Sequence, residues 1–342
     1  MRKNSALIPV WERKGTTMKN ILWLFLIIVV LGAGAITDAQ QSPPFRIGWI
    51  SNDRGSGNSP MFEAFREGMR ELGYVEGRNV IIEPRWGEGS NERLEQLAVE
   101  LVRSNPRVIV AHGGPATYPV VRAGATMPVV FGFSGDPVEG KLVDSFARPG
   151  RNMTGVSFLS LELVGKRMEL LKEVLPALKR VAILANPQHP GEQGELHASQ
   201  SAAKQLGLAL EYFQLPIATK LDDTLPAVAK SRSNAIVVFP DAYMMRLSER
   251  IAEFAIKNRT PAISGWAQFA EGGNLMTYGP NLRDSFRRLA YYVDRILKGT
   301  KPSELPVELP MKFELVINLK AAKQIGLTVP PNVLVRADKV IK

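Results

Sequence analysis

VVFGFSGDPVEGKLVDSFARPGRNMTG, the stretch from Val129 to Gly155, decides the fold that this sequence predicts. It opens with the apolar run Val129–Phe133, which the turn-forming residues Ser134-Gly135-Asp136-Pro137 end. A buried parallel strand has this pattern, because both of its faces are covered and a loop follows its carboxyl end. Strands and helices alternate before this stretch and again after it. We therefore expect it to carry the chain for the first time between two similar lobes, with Ser134 and Asp136 facing the cleft between them.

Two series of strands, each interleaved with amphipathic helices, follow from the hydrophobic pattern. The first series is predicted at Phe45–Ile50, Asn79–Glu83, Val108–Ala111 and Val129–Phe133. The second is predicted at Arg180–Ala185, Leu208–Phe213, Ala235–Phe239, Pro261–Ser264 and Leu275–Tyr278, with Phe313–Ile317 near the end of the chain. Such alternation is typical of parallel, doubly wound sheets. The predicted fold class is α/β, with two doubly wound parallel-sheet lobes joined by a multi-strand hinge.

Late segments of the sequence are expected to rejoin the lobe that the chain left earlier. The predicted N-terminal lobe contains residues 45–155 and about 279–304. The predicted C-terminal lobe contains residues 156–278 and about 305–342. No sequence repeat can be aligned between the two halves, so the expected similarity is one of architecture.

The first part of the sequence differs in kind from the rest. Basic residues precede an apolar run from Ile21 to Leu31, and small residues follow it. This order is typical of a secretory signal peptide, so residues 1–39 are predicted to be one, cleaved near Ala35 or Ala39. The alternative is an uncleaved membrane anchor, but the apolar run is shorter than the roughly 20 residues that cross a bilayer.

Composition narrows the class of protein. Of 342 residues, 45% are hydrophobic and 22% charged, which is typical of a folded globular chain. The sequence has no cysteine, so neither disulfides nor a lipid-modified cysteine are available, and the periplasm is the expected location. The net charge is +10, but basic and acidic residues are interspersed along the helices. This pattern favours a solvated surface, and no nucleic-acid partner is expected.

Ligands of open α/β sheets bind beyond the carboxyl ends of the strands, and several predicted loops there carry polar and aromatic side chains. Asp136 and Asp241, one on each side of the cleft, are candidates to receive a ligand ammonium group. Tyr243 and Trp266 are candidates to enclose an apolar or aromatic part of the ligand. The alternatives are that each aspartate makes a turn or caps a helix, and that Trp266 packs the base of its loop.

Enzyme signatures are missing from the sequence. The three histidines, His112, His189 and His197, have no zinc-ligand spacing, and we expect them to be structural or surface residues. The sequence contains no G-x-S-x-G nucleophile elbow and no cysteine nucleophile. Gly55-Ser56-Gly57 is no dinucleotide fingerprint, because Pro60 stands where the third glycine would be. We expect no catalysis, no cofactor and no metal.

Four stretches together carry a resemblance to a known family: FGFSGDPVEGKLVDSFARPGRNMTGVSF, NPQHPG, VVFPDAYMM, and the tail PVELPMKFELVINLKAAKQIGLTVPPNVLVRADKVI. From about Arg46 to Ile341 the chain resembles the ABC-transporter substrate-binding proteins of the type that includes the tryptophan-binding ones. In the tail, Asn318, Ala321, Gly326 and Pro330 stand where the pattern of that family expects them.

The resemblance implies a type I periplasmic binding fold that closes on a small solute and delivers it to a membrane permease driven by an ATPase. By position it implies ligand contacts at Asn52, Gly114, Thr117, Ser134, Asp136, Asn186 and Asp241. Where relatives often have a Thr-Asp pair, this chain has Pro240-Asp241, followed by Ala242-Tyr243.

The leading interpretation is a monomeric periplasmic receptor for a small polar solute, such as an amino acid or a related carboxylate, that contacts the membrane only through its permease. One alternative is a sensor that serves a membrane histidine kinase or another signalling partner, which neighbouring genes would distinguish. Another is an exported enzyme on the same fold, which turnover in a hydrolase panel would reveal.

Overall fold

Two separate β-sheets organise the computed structural model, which describes residues 43–53, 59–159 and 161–342. The predicted signal peptide, residues 1–39, lies outside the described residues, as does part of the loop after the first strand. Among the described residues, no helix is both long enough and apolar enough to cross a bilayer.

The strands are, in chain order, β1 (Phe45–Ser51), β2 (Val80–Trp86), β3 (Val108–His112), β4 (Val129–Phe133), β5 (Met153–Ser157), β6 (Arg180–Ala185), β7 (Ala209–Gln214), β8 (Ala235–Val238), β9 (Ala262–Ser264), β10 (Met276–Pro280), β11 (Phe313–Asn318) and β12 (Lys339–Ile341).

The helices are α1 (Pro60–Glu71), α2 (Asn91–Arg103), α3 (Gly113–Arg122), α4 (Glu162–Val174), α5 (Glu192–Leu206), α6 (Leu221–Lys230), α7 (Ala242–Arg246), α8 (Ser248–Asn258), α9 (Ala267–Glu271), α10 (Leu282–Leu297), α11 (Leu319–Ile325) and α12 (Pro331–Leu334), with a 3-10 turn at Pro302–Glu304.

The first lobe is built on a parallel sheet with the strand order β2-β1-β3-β4-β5. Helices α1 and α10 cover one face, where Trp49 of β1 packs against Phe65 and Phe286. Helices α2 and α3 cover the other face, against residues such as Phe131 of β4. Because both faces are buried, the strands read as apolar runs in the sequence.

The second lobe has the strand order β12-β11-β10-β9-β8-β6-β7. Helices α4, α5 and α11 cover one face of this sheet, and α6, α7, α8 and α9 cover the other. All its pairings are parallel except β10 with β11, which is antiparallel. The prediction of an α/β fold with two sheet-based lobes is thus confirmed, with one antiparallel pair in the second sheet.

The chain passes between the two lobes at three places, which form the multi-strand connection. It leaves the first lobe between β5 and α4, and it returns between β10 and α10. It leaves again between the turn Pro302–Glu304 and β11. Strands β5 and β10 each end at a crossing, so the loops at their carboxyl ends lie where the lobes face each other.

One strand of the first sheet, β5, was not predicted from the sequence. Its five residues MTGVS contain a glycine and two hydroxyl side chains, which is weak strand character. The pairing with β4 makes it a strand, with Gly155 opposite Phe131. A Cβ atom at Gly155 would lie 2.0 Å from the Phe131 carbonyl oxygen, so this close approach of two backbones requires glycine.

Candidate ligand-binding site

A cavity of about 340 Å³ lies between the two lobes, at the carboxyl ends of their strands. Its first wall comes from the start of α2, from α3 and from the end of β4. Its second wall comes from the loops after β6 and β7, and from α7. Typical small-molecule sites begin at about 300 Å³, so the cavity has the size of a small solute.

Helix α3 supplies one face of the first wall. Gly114, Tyr118 and Arg122 line the cavity at intervals of four residues, the spacing that places side chains on one side of a helix. The Tyr118 ring meets the Phe133 ring edge-on, with 6.0 Å between the ring centroids. Arg122 pairs with Glu95 of α2, so the charge of this guanidinium is partly compensated.

Asp241 is the central acidic group of the second wall, and it is 4% exposed. It caps the amino terminus of α7, because its Oδ1 accepts a hydrogen bond of 2.6 Å from the backbone N–H of Met244. Its Oδ2 accepts a second hydrogen bond of 3.0 Å from the Asn186 side-chain amide. These two bonds fix the carboxylate at the edge of the cavity.

Tyr243 and Arg246 of α7 complete this wall. The Tyr243 hydroxyl donates a hydrogen bond of 3.2 Å to the carbonyl oxygen of Thr219. The Arg246 guanidinium lies 5.8 Å from the centroid of the Tyr243 ring. Within the described part of the chain, Arg246 forms no salt bridge, in contrast to Arg122.

Burial raises the pKa of both cavity tyrosines. For Tyr118, the Glu139 carboxylate adds to this effect and Arg122 opposes it. For Tyr243, the Arg246 guanidinium opposes the effect and Asp241 adds to it. Both hydroxyl groups therefore stay protonated near neutral pH and can donate hydrogen bonds.

The two lobes meet in a seam formed by residues 134–136 and 189–191. The Ser134 hydroxyl and His189 Nε2 are joined by a hydrogen bond of 2.8 Å. The backbone N–H of Asp136 donates a hydrogen bond of 3.3 Å to the carbonyl oxygen of Pro190. Gly135 allows this contact, because a Cβ atom there would lie 2.2 Å from the same oxygen.

The structure brings five of the predicted site residues together. Gly114, Ser134, Asn186, Asp241 and Tyr243 all line the cavity, and they come from both lobes. The arrangement combines a fixed carboxylate, amide and hydroxyl groups, and aromatic rings. It can therefore bind a small solute that carries a cationic group and an apolar or aromatic part.

Thr117 and Asn52 lie outside the cavity lining. Thr117 is fully buried, and its hydroxyl donates a hydrogen bond of 2.8 Å to the Gly113 carbonyl oxygen within α3. Asn52 Oδ1 accepts a hydrogen bond of 3.0 Å from the backbone N–H of Gly89, which ties two loops of the first lobe together. Both side chains use their polar atoms within the protein.

Asp136 and Trp266 also lie outside the lining. Asp136 Oδ1 accepts hydrogen bonds of 2.7 Å from Val138 and 3.1 Å from Glu139, so this aspartate makes the turn that the sequence offered as its alternative role. Trp266 extends from the second lobe into the buried cluster of the first, where its ring lies edge-on to Phe158 with centroids 6.3 Å apart.

Sequence reasoning missed several cavity residues, among them Tyr118, Arg122, His189 and Arg246. The helical period was a usable signal for two of them, because Tyr118 and Arg122 follow Gly114 at intervals of four. Nothing in the sequence distinguished His189, because its role depends on Ser134, which lies in the other lobe.

Ser51, Asp53 and His112 form a hydrogen-bonded cluster at the end of β1 and β3. The Ser51 hydroxyl lies 3.1 Å from His112 Nδ1, and Asp53 Oδ2 lies 3.3 Å from the same nitrogen. In a Ser-His-Asp relay the serine and the aspartate face different ring nitrogens, so this cluster does not have the relay geometry. Among the described residues, no group of His, Cys, Asp or Glu side chains is arranged to hold a metal ion.

The pKa of Asp53 reflects the same cluster. Burial alone would raise it, but the charge of His112 and the hydrogen bonds from His112, Ser59 and Ser51 hold the pKa of Asp53 below its ordinary range. The Ser59 hydroxyl donates the shortest of these bonds, at 2.6 Å. The cluster therefore ties Ser59, at the start of α1, to the ends of β1 and β3.

Comparisons with known proteins agree with this architecture. A sequence profile of the family described as ABC transporter substrate binding protein matches residues 55–341. A protein named Tyrosine-binding protein, from Clostridioides difficile (strain R20291), is 20% identical over 266 residues, which are 78% of this chain and 76% of that protein.

Solved structures of similar fold cover most of the chain. A conserved domain protein from Vibrio cholerae superposes with a TM-score of 0.77 at 28% identity, over 86% of this chain and 99% of that one. An ABC domain in complex with L-Trp from Streptococcus pneumoniae superposes with a TM-score of 0.79 at 24% identity, over 87% of this chain and 100% of that one. Because the family profile spans most of its length, the chain belongs to the family of ABC transporter substrate-binding proteins.

Proposed function

We propose that this protein is the periplasmic solute receptor of an ABC importer. It closes on a small polar solute and delivers it to a permease that an ATPase drives, without catalysis of its own. The observation that carries this proposal is the cavity of about 340 Å³ lined by both lobes. A solute that touches both walls binds the closed form better than the open one, and so shifts the hinge equilibrium towards closure.

The export part of the proposal rests on the sequence. Residues 1–39 act as a signal peptide that is removed, and the mature chain works in the periplasm as a monomer. It reaches the membrane only by docking on the permease, which reads the closed form. The three connections between the lobes act as the hinge.

The solute we propose is an amino acid with an aromatic side chain. Two relatives support this class by name, one as a tyrosine-binding protein and one as a domain in complex with L-Trp. In this chain, Tyr118 and Tyr243 line opposite walls of the cavity, and we propose that the aromatic ring of the solute packs against them. The Asp241 carboxylate receives the ammonium group, and Arg246 is the cation available for the carboxylate.

Among the predicted ligand contacts, we propose that Gly114, Ser134, Asn186, Asp241 and Tyr243 touch the solute directly. Thr117 and Asn52 act by holding α3 and the loop after β1 in place. Asp136 shapes the seam, and Trp266 joins the second lobe to the buried cluster of the first. Micromolar affinity needs only about −8 kcal/mol, which paired charges and one enclosed ring can supply.

Isothermal titration calorimetry of the mature chain tests this function. We expect L-tryptophan or L-tyrosine to bind with a Kd of about 1 µM or below, and L-leucine and L-glutamate to bind much more weakly. Lack of heat with every amino acid would contradict the proposed solute class. Lack of binding to any solute, with an unchanged lobe distance in small-angle scattering, would contradict the receptor function itself.

A further inference from the structure

The seam between the lobes contains a titratable side chain that the proposed function does not use. His189, in the loop between β6 and α5, lines the cavity and contacts Ser134 of the other lobe through a hydrogen bond of 2.8 Å. The adjacent Pro190 carbonyl accepts a hydrogen bond from Asp136 of the first lobe. His189 therefore lies where the two lobes and the cavity meet.

We propose that His189 makes closure of the lobes sensitive to pH, so that the closed, solute-holding form requires a neutral imidazole and acid favours opening and release. The proposal depends on the proposed function only for the solute, because the lobe distance itself can be measured without one. It adds regulation by pH to the same site, which a hinge without a titratable group would not have.

The physical reason is the burial of charge in the seam. Depending on the tautomer, Nε2 of a neutral imidazole either accepts a hydrogen bond from the Ser134 hydroxyl or donates one to it. The hydroxyl can serve in either role. A second ring proton places a positive charge on a part-buried ring that is less hydrated in the seam than in open solution, which opposes closure. Opening of the lobes hydrates the ring and removes this penalty.

The charged groups around His189 act against this effect without cancelling it. Asp241 at the end of β8, Glu139 in the turn after β4, and Glu192 at the start of α5 each favour the charged ring. Burial outweighs them, so the pKa of His189 lies below its ordinary value of 6.5. The cations Arg122 and Arg246 also line the cavity, and Arg122 is paired with Glu95.

The sign of the pH dependence follows from this shift. In the open form the pKa of His189 returns towards about 6.5, while in the closed form it is lower. Protons therefore bind the open form more tightly, and closure weakens as the pH falls through about 6.5. Solute affinity is expected to fall by up to about tenfold for each pH unit in this window.

The test uses two readouts on the full mature chain. Because the sequence has no cysteine, the variant Glu100→Cys/Asp223→Cys carries one spin label on α2 and one on α6, and the label distance reports lobe closure. The Kd of L-tryptophan is measured by calorimetry. Both are recorded at about pH 5.5 and about pH 7.5, on either side of the ordinary histidine pKa.

His189→Gln is the decisive variant, because glutamine can keep a hydrogen bond to Ser134 and does not titrate. His197→Gln, on the exposed side of α5, is the matched control. His112→Gln removes the histidine at the end of β3, which does not line the cavity. We expect acid to lengthen the label distance and raise the Kd in the wild type, in His197→Gln and in His112→Gln, but not in His189→Gln.

The outcomes separate this inference from the proposed solute. An acid-dependent label distance that His189→Gln abolishes supports the inference, even where L-tryptophan does not bind. Identical label distances and identical Kd values at the two pH values in the wild type would overturn it. A pH dependence that persists in His189→Gln, or that disappears in His112→Gln, would overturn it as well.

Discussion

Asp241 both caps α7 and presents its carboxylate to the cavity. Its two oxygens accept hydrogen bonds from Met244 and Asn186, and each oxygen retains a further lone pair for a solute. The carboxylate is thus held in position before a ligand arrives. A fixed acceptor loses little conformational freedom on binding, which favours affinity.

Replacing Asp241 with asparagine should weaken solute binding while preserving the fold. The amide oxygen can still cap α7, but the charge that pairs with an ammonium group is lost. Hydrogen bonds to charged groups contribute about 1.5–3 kcal/mol, so the Kd in calorimetry should rise about 10- to 100-fold. Asp136→Asn is the matched control, because the side chain of Asp136 bonds only within its own turn and its bond to Pro190 uses the backbone N–H. Equal effects of the two substitutions would contradict the assigned roles.

Arg167 and Glu195 form a fully buried ion pair between α4 and α5. Arg167 Nη1 lies 3.2 Å from Glu195 Oε1, and Arg167 Nε donates a hydrogen bond of 2.9 Å to the Tyr278 carbonyl oxygen. Burial raises the pKa of Glu195 to about 7, and Arg167 opposes part of this rise. The pair therefore connects two helices to the strand that leads back to the first lobe.

Removing one partner of this pair should destabilise the second lobe strongly. Arg167→Met leaves a buried carboxyl group without its cation, and we expect a loss of about 3–5 kcal/mol in the free energy of unfolding. Arg167→Met/Glu195→Leu should be more stable than Arg167→Met alone, because no buried charge remains. Urea unfolding followed by circular dichroism measures both. The account would be contradicted if the double variant lost as much free energy of unfolding as the single variants Arg167→Met and Glu195→Leu lose together.

Among single elements, the sequence predicted those strands that are buried apolar runs. β4 was predicted as Val129–Phe133 and has these bounds, because an apolar run between turns has few alternatives. β5 was missed, since MTGVS becomes a strand only through its pairing with β4. The direction of β11 was missed for a similar reason. It depends on a return from the other lobe, which no local pattern encodes.

The seam at Gly135 provides a test at this scale. A methyl group at this position would lie 2.2 Å from the Pro190 carbonyl oxygen, so Gly135→Ala should push the loops after β4 and β6 apart. Overpacking of this kind costs about 1–3 kcal/mol, and here it opposes closure. The Kd should therefore rise about 5- to 150-fold.

Gly165→Ala is the matched control for this substitution. Its added Cβ atom would lie at an ordinary distance of 3.7 Å from Ala202 of α5, where α4 faces α5. We expect its Kd and its lobe distance in small-angle scattering to match the wild type. An unchanged Kd in Gly135→Ala would show that the seam is not part of the closed form.

For the whole molecule, the rule that ligands bind beyond the carboxyl ends of parallel strands located the cavity. The rule does not say which side chains of a loop point into it. Thr117 and Tyr118 are neighbours in α3, yet Thr117 bonds back to its own helix and Tyr118 faces the cavity. Trp266 lies at the predicted edge, but it packs into the core of the other lobe. Such choices depend on contacts between segments distant in sequence.

The central claim is that a small solute binds in the cavity between the two lobes. A crystal structure of the mature chain with L-tryptophan tests this most directly. The account predicts an indole ring between Tyr118 and Tyr243, with the ammonium group within hydrogen-bond distance of Asp241. A ligand bound outside this cavity, or a cavity filled by the protein's own side chains, would contradict it.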